Sequence, residues 1–209
     1  SINVKQARAF LWSAAWLQEF MNERWREAGI LAQGAYRELN EVFDKFCLAI
    51  MGPGGTGKTT VLRTIEALTT FFAGPDTVRK LAPSNAAARL LGGDTLHALC
   101  KLPFGKSNLR SKQGRLAPPA LRQHRKQWDT AIQAFLDEIS MISTDQFLQC
   151  DVRLRQAKMK PHARFGGLAM FICGDFLQLP PVDKHGSRKS LALPVDEVGA
   201  VEVEGDTGA

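Results

Sequence analysis

The 209-residue chain has one tyrosine, four cysteines and four histidines, and these scarcities exclude several classes of protein. Cys47, Cys100, Cys150 and Cys173 are widely spaced and form no C-x-x-C pair. That excludes a zinc ribbon or a dithiol redox motif, and leaves buried free thiols in a reducing compartment as the expectation. His97, His124, His162 and His185 share no metal-ligand spacing. No stretch approaches the ~18 consecutive apolar residues of a membrane span; the apolar segment Ala9 to Leu17 has the look of an amphipathic helix face. No internal repeat is present. Acidic residues are missing from Thr95 to Trp128, where Lys101, Lys106, Arg110, Lys112, Arg115, Arg122, Arg125 and Lys126 all fall. Such a stretch either attracts a phosphate backbone or is a solvated basic loop. The chain opens on Ser rather than Met, so the lack of a targeting peptide proves nothing.

What is present is an ordinary globular composition, 44% apolar and 23% charged, with a net charge of +6. At this length a single core buries about 70% of the unfolded surface. Residues 52–59 read Gly-Pro-Gly-Gly-Thr-Gly-Lys-Thr, matching G-x-x-x-x-G-K-[ST] throughout. Ahead of them Phe46–Met51 has the length of a buried parallel strand. Behind them Val61, Leu62, Ile65 and Leu68 fall on one face of a helix. In that context the glycines let successive N–H groups converge on a polyphosphate, aided by the helix N-terminus. Gly52, Pro53, Gly54, Gly55, Thr56, Gly57, Lys58, Thr59 and Thr60 are the expected nucleotide cradle. Lys58 would reach the outer phosphates, and Thr59 would hold Mg²⁺.

Short segments at 77–82, 131–136 and 168–173 read as further strands, and 144–158 and 120–128 as helices. Residues 4–45 read as two helices with their break between Gly29 and Gly34. Gly92-Gly93 ends an alanine-rich helix, and Thr95 begins another. Strands alternating with helices predict an α/β fold, a central parallel sheet with helices on both faces. From Asp183 onward periodicity is lost, and a disordered tail is expected over 183–209.

Asp137 and Glu138 leave the carboxyl end of the strand at 131–136, the edge where ligands of such sheets collect. Asp137 suits a metal anchor. Glu138 suits a residue that orients or deprotonates water. Taken alone, the pair is equally a polar strand exit. Gln178 sits in an apolar, proline-stiffened loop, Gly174 to Val182, either as a buried, satisfied amide or as a γ-phosphate contact.

These blocks together resemble the PIF-type helicases of superfamily 1, the RecD-like group. The likeness runs through Gly52–Thr59, Leu81–Ala88, Gly92–His97, Leu136–Met141, Arg153–Lys158 and Phe165–Pro181, and covers roughly residues 1–182. It implies a RecA-like P-loop NTPase lobe over 1–182, with a basic wedge-like insertion at about 101–126. It further implies ATP and Mg²⁺ as cofactors, and single-stranded DNA and duplex junctions as partners. The implied activity is 5′-to-3′ translocation and unwinding in DNA repair, recombination and telomere maintenance, in a nucleus or mitochondrion if the source is eukaryotic. By the same resemblance Gln6 reads adenine, while Pro83, Ser84, Asn85, Thr95 and His97 touch the DNA strand.

The chain also departs from the family pattern. No second motor lobe or completing arginine follows, so a catalytically incomplete ATP- and DNA-binding piece stays open beside the helicase reading. Ser84-Asn85 replaces the more usual Thr-Gly. A long helical stretch at about 11–42 separates Gln6 from the phosphate loop, so Gln6 reaches the site only if that stretch loops out. A different loop-type NTPase, such as a recombinase or protein remodeller, is the remaining alternative.

Overall fold

A computed structural model of the chain describes residues 4–27, 46–102, 116–177 and 191. In chain order its elements are α1 (Val4–Glu27), β1 (Cys47–Met51), α2 (Lys58–Ala73), β2 (Val78–Ala82), α3 (Asn85–Leu91) and β3 (Asp94–Thr95). There follow α4 (Leu96–Leu99), α5 (Pro118–Trp128), β4 (Gln133–Leu136), α6 (Thr144–Lys158) and β5 (Ala169–Gly174). The strands form one parallel sheet in the order β1-β5-β4-β2-β3.

Every residue of β4 and β5 is buried, because both strands lie inside the sheet and are covered on both faces. Side-chain alternation divides them between two cores. Ala134, Leu136, Met170 and Ile172 pack with Leu96, Leu99, Trp128, Cys150 and Leu154, from α4, α5 and α6. Phe135, Ala169, Phe171 and Cys173 pack with Trp16, Leu17, Val61, Leu62 and Ile65, from α1 and α2. The expected α/β fold with helices on both faces is the one observed.

Several expectations need correction. β1 is an edge strand among the described residues, and its residues alternate between exposed and half-buried. An apolar run signals burial only where both flanks of the strand are paired. Cys47 is accordingly exposed, whereas Cys100, Cys150 and Cys173 are buried free thiols as anticipated. Leu68 is only half-buried, and Thr69 takes the buried place on α2. The strand β3 has two residues and no apolar run to announce it. Over 4–27 the backbone forms one helix; the expected break at Gly29–Gly34 lies outside the described residues. So do residues 103–115 of the basic insertion, Gln178, and all of the expected tail except Leu191.

The Gly92-Gly93 break is explained by space and backbone angle together. Gly92 closes α3 at φ 71°, and a β-carbon on Gly93 would collide with the backbone of Lys80 on β2.

Candidate nucleotide site and nucleic-acid rim

β1 delivers the chain to the phosphate loop, and Gly52 N at once donates to Gly174 O on β5, 3.1 Å away. Gly55 and Gly57 carry the loop through left-handed angles, φ 74° and 84°. Gly57 is also crowded from outside. A β-carbon there would lie 2.5 Å from the Gln6 amide nitrogen. α1 therefore does bring Gln6 back to the loop, where Nε2 donates to Thr56 O at 2.8 Å.

α2 begins at Lys58 with no side-chain cap, so its first-turn N–H groups remain available to an anion. The Lys58 ammonium lies across the loop, donating to Gly52 O at 2.6 Å and Pro53 O at 2.9 Å. Thr56 Oγ1 also donates to Pro53 O, at 2.8 Å. Thr60 follows on the first turn of α2 and is exposed.

β5 stands between β1 and β4. Two inter-strand spacings place the end of β4 roughly 10 Å from the end of β1. Gly54, Gly55, Thr56, Gly57, Lys58 and Thr59 on one side, with Asp137 and Glu138 on the other, line an open cleft of about 290 Å³. Asp137 is fixed by its backbone N–H to Leu81 O at 2.9 Å, and its Oδ1 accepts from Glu138 N at 2.9 Å. Glu138 adopts φ 53°, ψ 47°, a left-handed conformation costing a non-glycine residue about 1–2 kcal/mol. Strain of this kind persists where it aims a side chain.

Burial raises the Glu138 carboxyl above the usual carboxylate range. The neighbouring Asp137 charge raises it further, Lys58 pulls it back, and Asp175 adds a smaller rise. Asp175 thus belongs to the electrostatics of the cleft, although its sequence context did not single it out. The available signal was its place directly after β5, on the same rim. Thr59 and Asp137 both line the cleft and offer a hydroxyl and a carboxylate to a hard cation. Among the described residues no cluster of three or more His, Cys, Asp or Glu side chains forms a cage. One hydroxyl and one carboxylate would suit a hard cation such as Mg²⁺ that keeps phosphate oxygens as its remaining ligands.

The residues expected to touch DNA gather at the other end of the same rim. β2 and β3 pair so that Ala82 stands opposite Thr95. Pro83, Ser84, Thr95 and His97 are half-buried there, and Asn85 is exposed. Two of them have a structural duty. Ser84 Oγ accepts from Ala87 N and caps α3; Thr95 Oγ1 accepts from Ala98 N and caps α4, both at 3.2 Å. Of the basic stretch, Arg122, Arg125 and Lys126 lie exposed on α5, while His124 and Trp128 anchor that helix in the core.

Comparison with known proteins agrees with this geometry. The family model described as PIF1-like helicase matches residues 34–195. The chain belongs to the PIF1-like helicase family. It is 33% identical over 150 residues to the ATP-dependent DNA helicase PIF1 of Xenopus laevis, covering 72% of this chain and 22% of that protein. With the human ATP-dependent DNA helicase PIF1 it shares 36% over 135 residues, covering 64% of this chain and 20% of the relative. Among solved structures it is similar to a Pif1 helicase from Bacteroides in complex with ADP-AlF3 and ssDNA. There the identity is 27%, the TM-score 0.57, and the match covers 74% of this chain and 35% of that one. A structure of two coordinating Pif1 helicases at forked dsDNA matches at 26% identity and TM-score 0.57, covering 81% of this chain and 35% of that chain. The chain thus spans about a fifth of the length of these curated PIF1-like relatives. Among the described residues no helix is long and apolar enough to cross a membrane.

Proposed function

We propose that this chain is the first motor lobe of an ATP-dependent DNA helicase, hydrolysing ATP in the cleft between α2 and β4. One observation carries the reading: the phosphate loop and the Asp137–Glu138 pair, about 80 residues apart in sequence, line the same opening. In this reading Lys58 leaves its two carbonyls for the outer phosphates, and the uncapped start of α2 supplies further N–H donors. Thr59 and Asp137 hold Mg²⁺, which when bound neutralises charge on the phosphates. Glu138 orients the attacking water and accepts its proton, a role its raised proton affinity suits. Gln6 reads the adenine edge from beside Thr56, and Gln178 contacts the γ-phosphate.

DNA lies across Pro83–Asn85, Thr95 and His97 in this proposal, with the basic insertion at the junction. Movement is 5′-to-3′, and the cellular work is DNA repair, recombination and telomere maintenance. Family membership supports these points. The free thiols suit a reducing compartment, and family membership supports, in a eukaryotic cell, the nucleus or mitochondrion. The test is DNA-stimulated ATPase in a protein that includes the second lobe: Lys58→Ala must abolish turnover, and unchanged turnover refutes the assignment.

A second reading is an ATP- and single-strand-binding lobe that turns over very slowly on its own. ATPase of this chain alone, with single-stranded DNA, separates the two. In either reading, neutralising ~4 phosphates makes affinity for the strand fall about fifty-fold between 50 and 200 mM salt. Salt-independent binding discredits the basic insertion as a contact.

A further inference from the structure

We propose that Gly174 is a positioning residue, a steric gauge that sets the separation between the phosphate loop and the Asp137–Glu138 pair. The proposal rests on the reading of the cleft as an ATPase site. Gly174 ends β5, the strand inserted between the two halves of that cleft, and it is buried. It stands opposite Met51, and its carbonyl accepts the Gly52 N–H at 3.1 Å, so it is tied to the root of the loop. On its other side a β-carbon would lie 2.7 Å from Ile139 Cγ2 and 3.0 Å from Ile139 N.

Ile139 directly follows Glu138 and opens the short 3₁₀ turn Ile139–Met141. At 3% exposure, within the core that also holds Leu136 and Ile142, it has little room to retreat. Gly174 is absent from the positive-φ positions. A glycine is therefore required here by close approach, not by backbone angle. One added methyl group must drive the turn and β5 apart by several tenths of an ångström, and the acids move with the turn while the loop stays with β5. Binding uses chiefly the loop and Lys58, whereas hydrolysis needs loop and acids in register. The gauge therefore acts on turnover and spares affinity.

The experiment compares Gly174→Ala, Gly174→Ala/Ile139→Leu and Lys58→Ala in the full-length protein. It measures single-stranded-DNA-stimulated kcat, and the Kd and stoichiometry of a fluorescent ADP analogue. Ile139→Leu keeps the side-chain volume but removes the branch at Cβ. We expect Gly174→Ala to lower kcat about tenfold with Kd and stoichiometry within about twofold, since misplacement by 1 Å costs about 10²-fold. The double variant should recover about threefold, because the approach to Ile139 N is not relieved. Unchanged kcat in Gly174→Ala overturns the proposal. So does a loss of binding stoichiometry that Ile139→Leu leaves unrepaired, which marks the position as structural only. If Lys58→Ala instead retains turnover, the ATPase reading itself fails, whatever Gly174 does.

Discussion

The two ends of the carboxyl rim are built on opposite principles. At the β1–β4 end the functional groups hold little of the fold together. The Lys58 ammonium is satisfied by two loop carbonyls that a phosphate can replace, and Glu138 sits in a backbone conformation that costs energy. At the β2–β3 end Ser84 and Thr95 close the first turns of α3 and α4. Side chains at the first end can be exchanged with little loss of stability. Those at the second serve the fold and the proposed DNA contact together. Substitutions should therefore separate cleanly into changes of chemistry alone and changes of chemistry with stability.

The largest expected effect lies at the first end. Lys58→Ala should remove at least about 10³-fold of ATP turnover, as loss of a charged donor to the developing phosphate charge does, with a thermal midpoint close to the parent's. Glu138→Gln should lower kcat about 10²–10⁴-fold, the contribution of a positioned base, while nucleotide binding persists. Calorimetric titration with ADP checks that retention. A large stability loss in either variant would erase the distinction between the two ends.

A third prediction concerns the core beneath the basic helix. Burial lowers His124 to about pKa 4, although its ring Nε2–H donates to the Arg153 carbonyl, which pulls it back up; Lys101 and Arg153 lower it further. Above the unfolded value near 6.5 neither state holds the proton, and no stability is lost. As pH falls toward 4 the unfolded chain takes up a proton that the folded chain refuses. Stability should drop by up to roughly 3 kcal/mol across that window. Denaturant titrations of the parent and His124→Gln at pH 7 and pH 4.5 test it; the variant should have the flatter profile.

The smallest effects belong to the second end. Ser84→Ala and Thr95→Ala should each cost about 1 kcal/mol of stability as lost caps. Ser84→Asp sharpens the comparison, because it keeps a capping oxygen and adds a charge that repels phosphate. It should leave stability within about 0.5 kcal/mol and weaken single-strand binding. Equal DNA affinity in Ser84→Asp and the parent would mean that Ser84 serves only as a cap.

Much of this was legible in the sequence because it depends on local pattern. The loop at 52–59 sits where its glycines and flanking apolar runs put it; β5 follows from a continuous apolar stretch, and β4 from a mostly apolar one broken by Gln133. Asp137 and Glu138 could be placed on the rim because parallel strands share one carboxyl edge. What escaped depends on lateral neighbours. Nothing in the run 47–51 reveals that β1 lies at an edge and exposes Cys47. Nothing in Asp94-Thr95 announces a two-residue strand, which forms because Leu81 and Ala82 lie alongside. Asp175 and Gly174 gain their meaning only once β5 is seen between β1 and β4. The capping duty of Ser84 and Thr95 is readable in principle, since each is a hydroxyl residue directly before a helix start.

The central claim is that one triphosphate is gripped by the loop and faced by the acids. A crystal structure of the protein with ADP and aluminium fluoride tests it most directly. We predict Lys58 Nζ drawn off the Gly52 and Pro53 carbonyls to about 3 Å from a fluoride, with the Glu138 carboxylate within hydrogen-bond reach of the in-line water. Nucleotide bound elsewhere, or Glu138 turned away from the fluoride, would contradict the account.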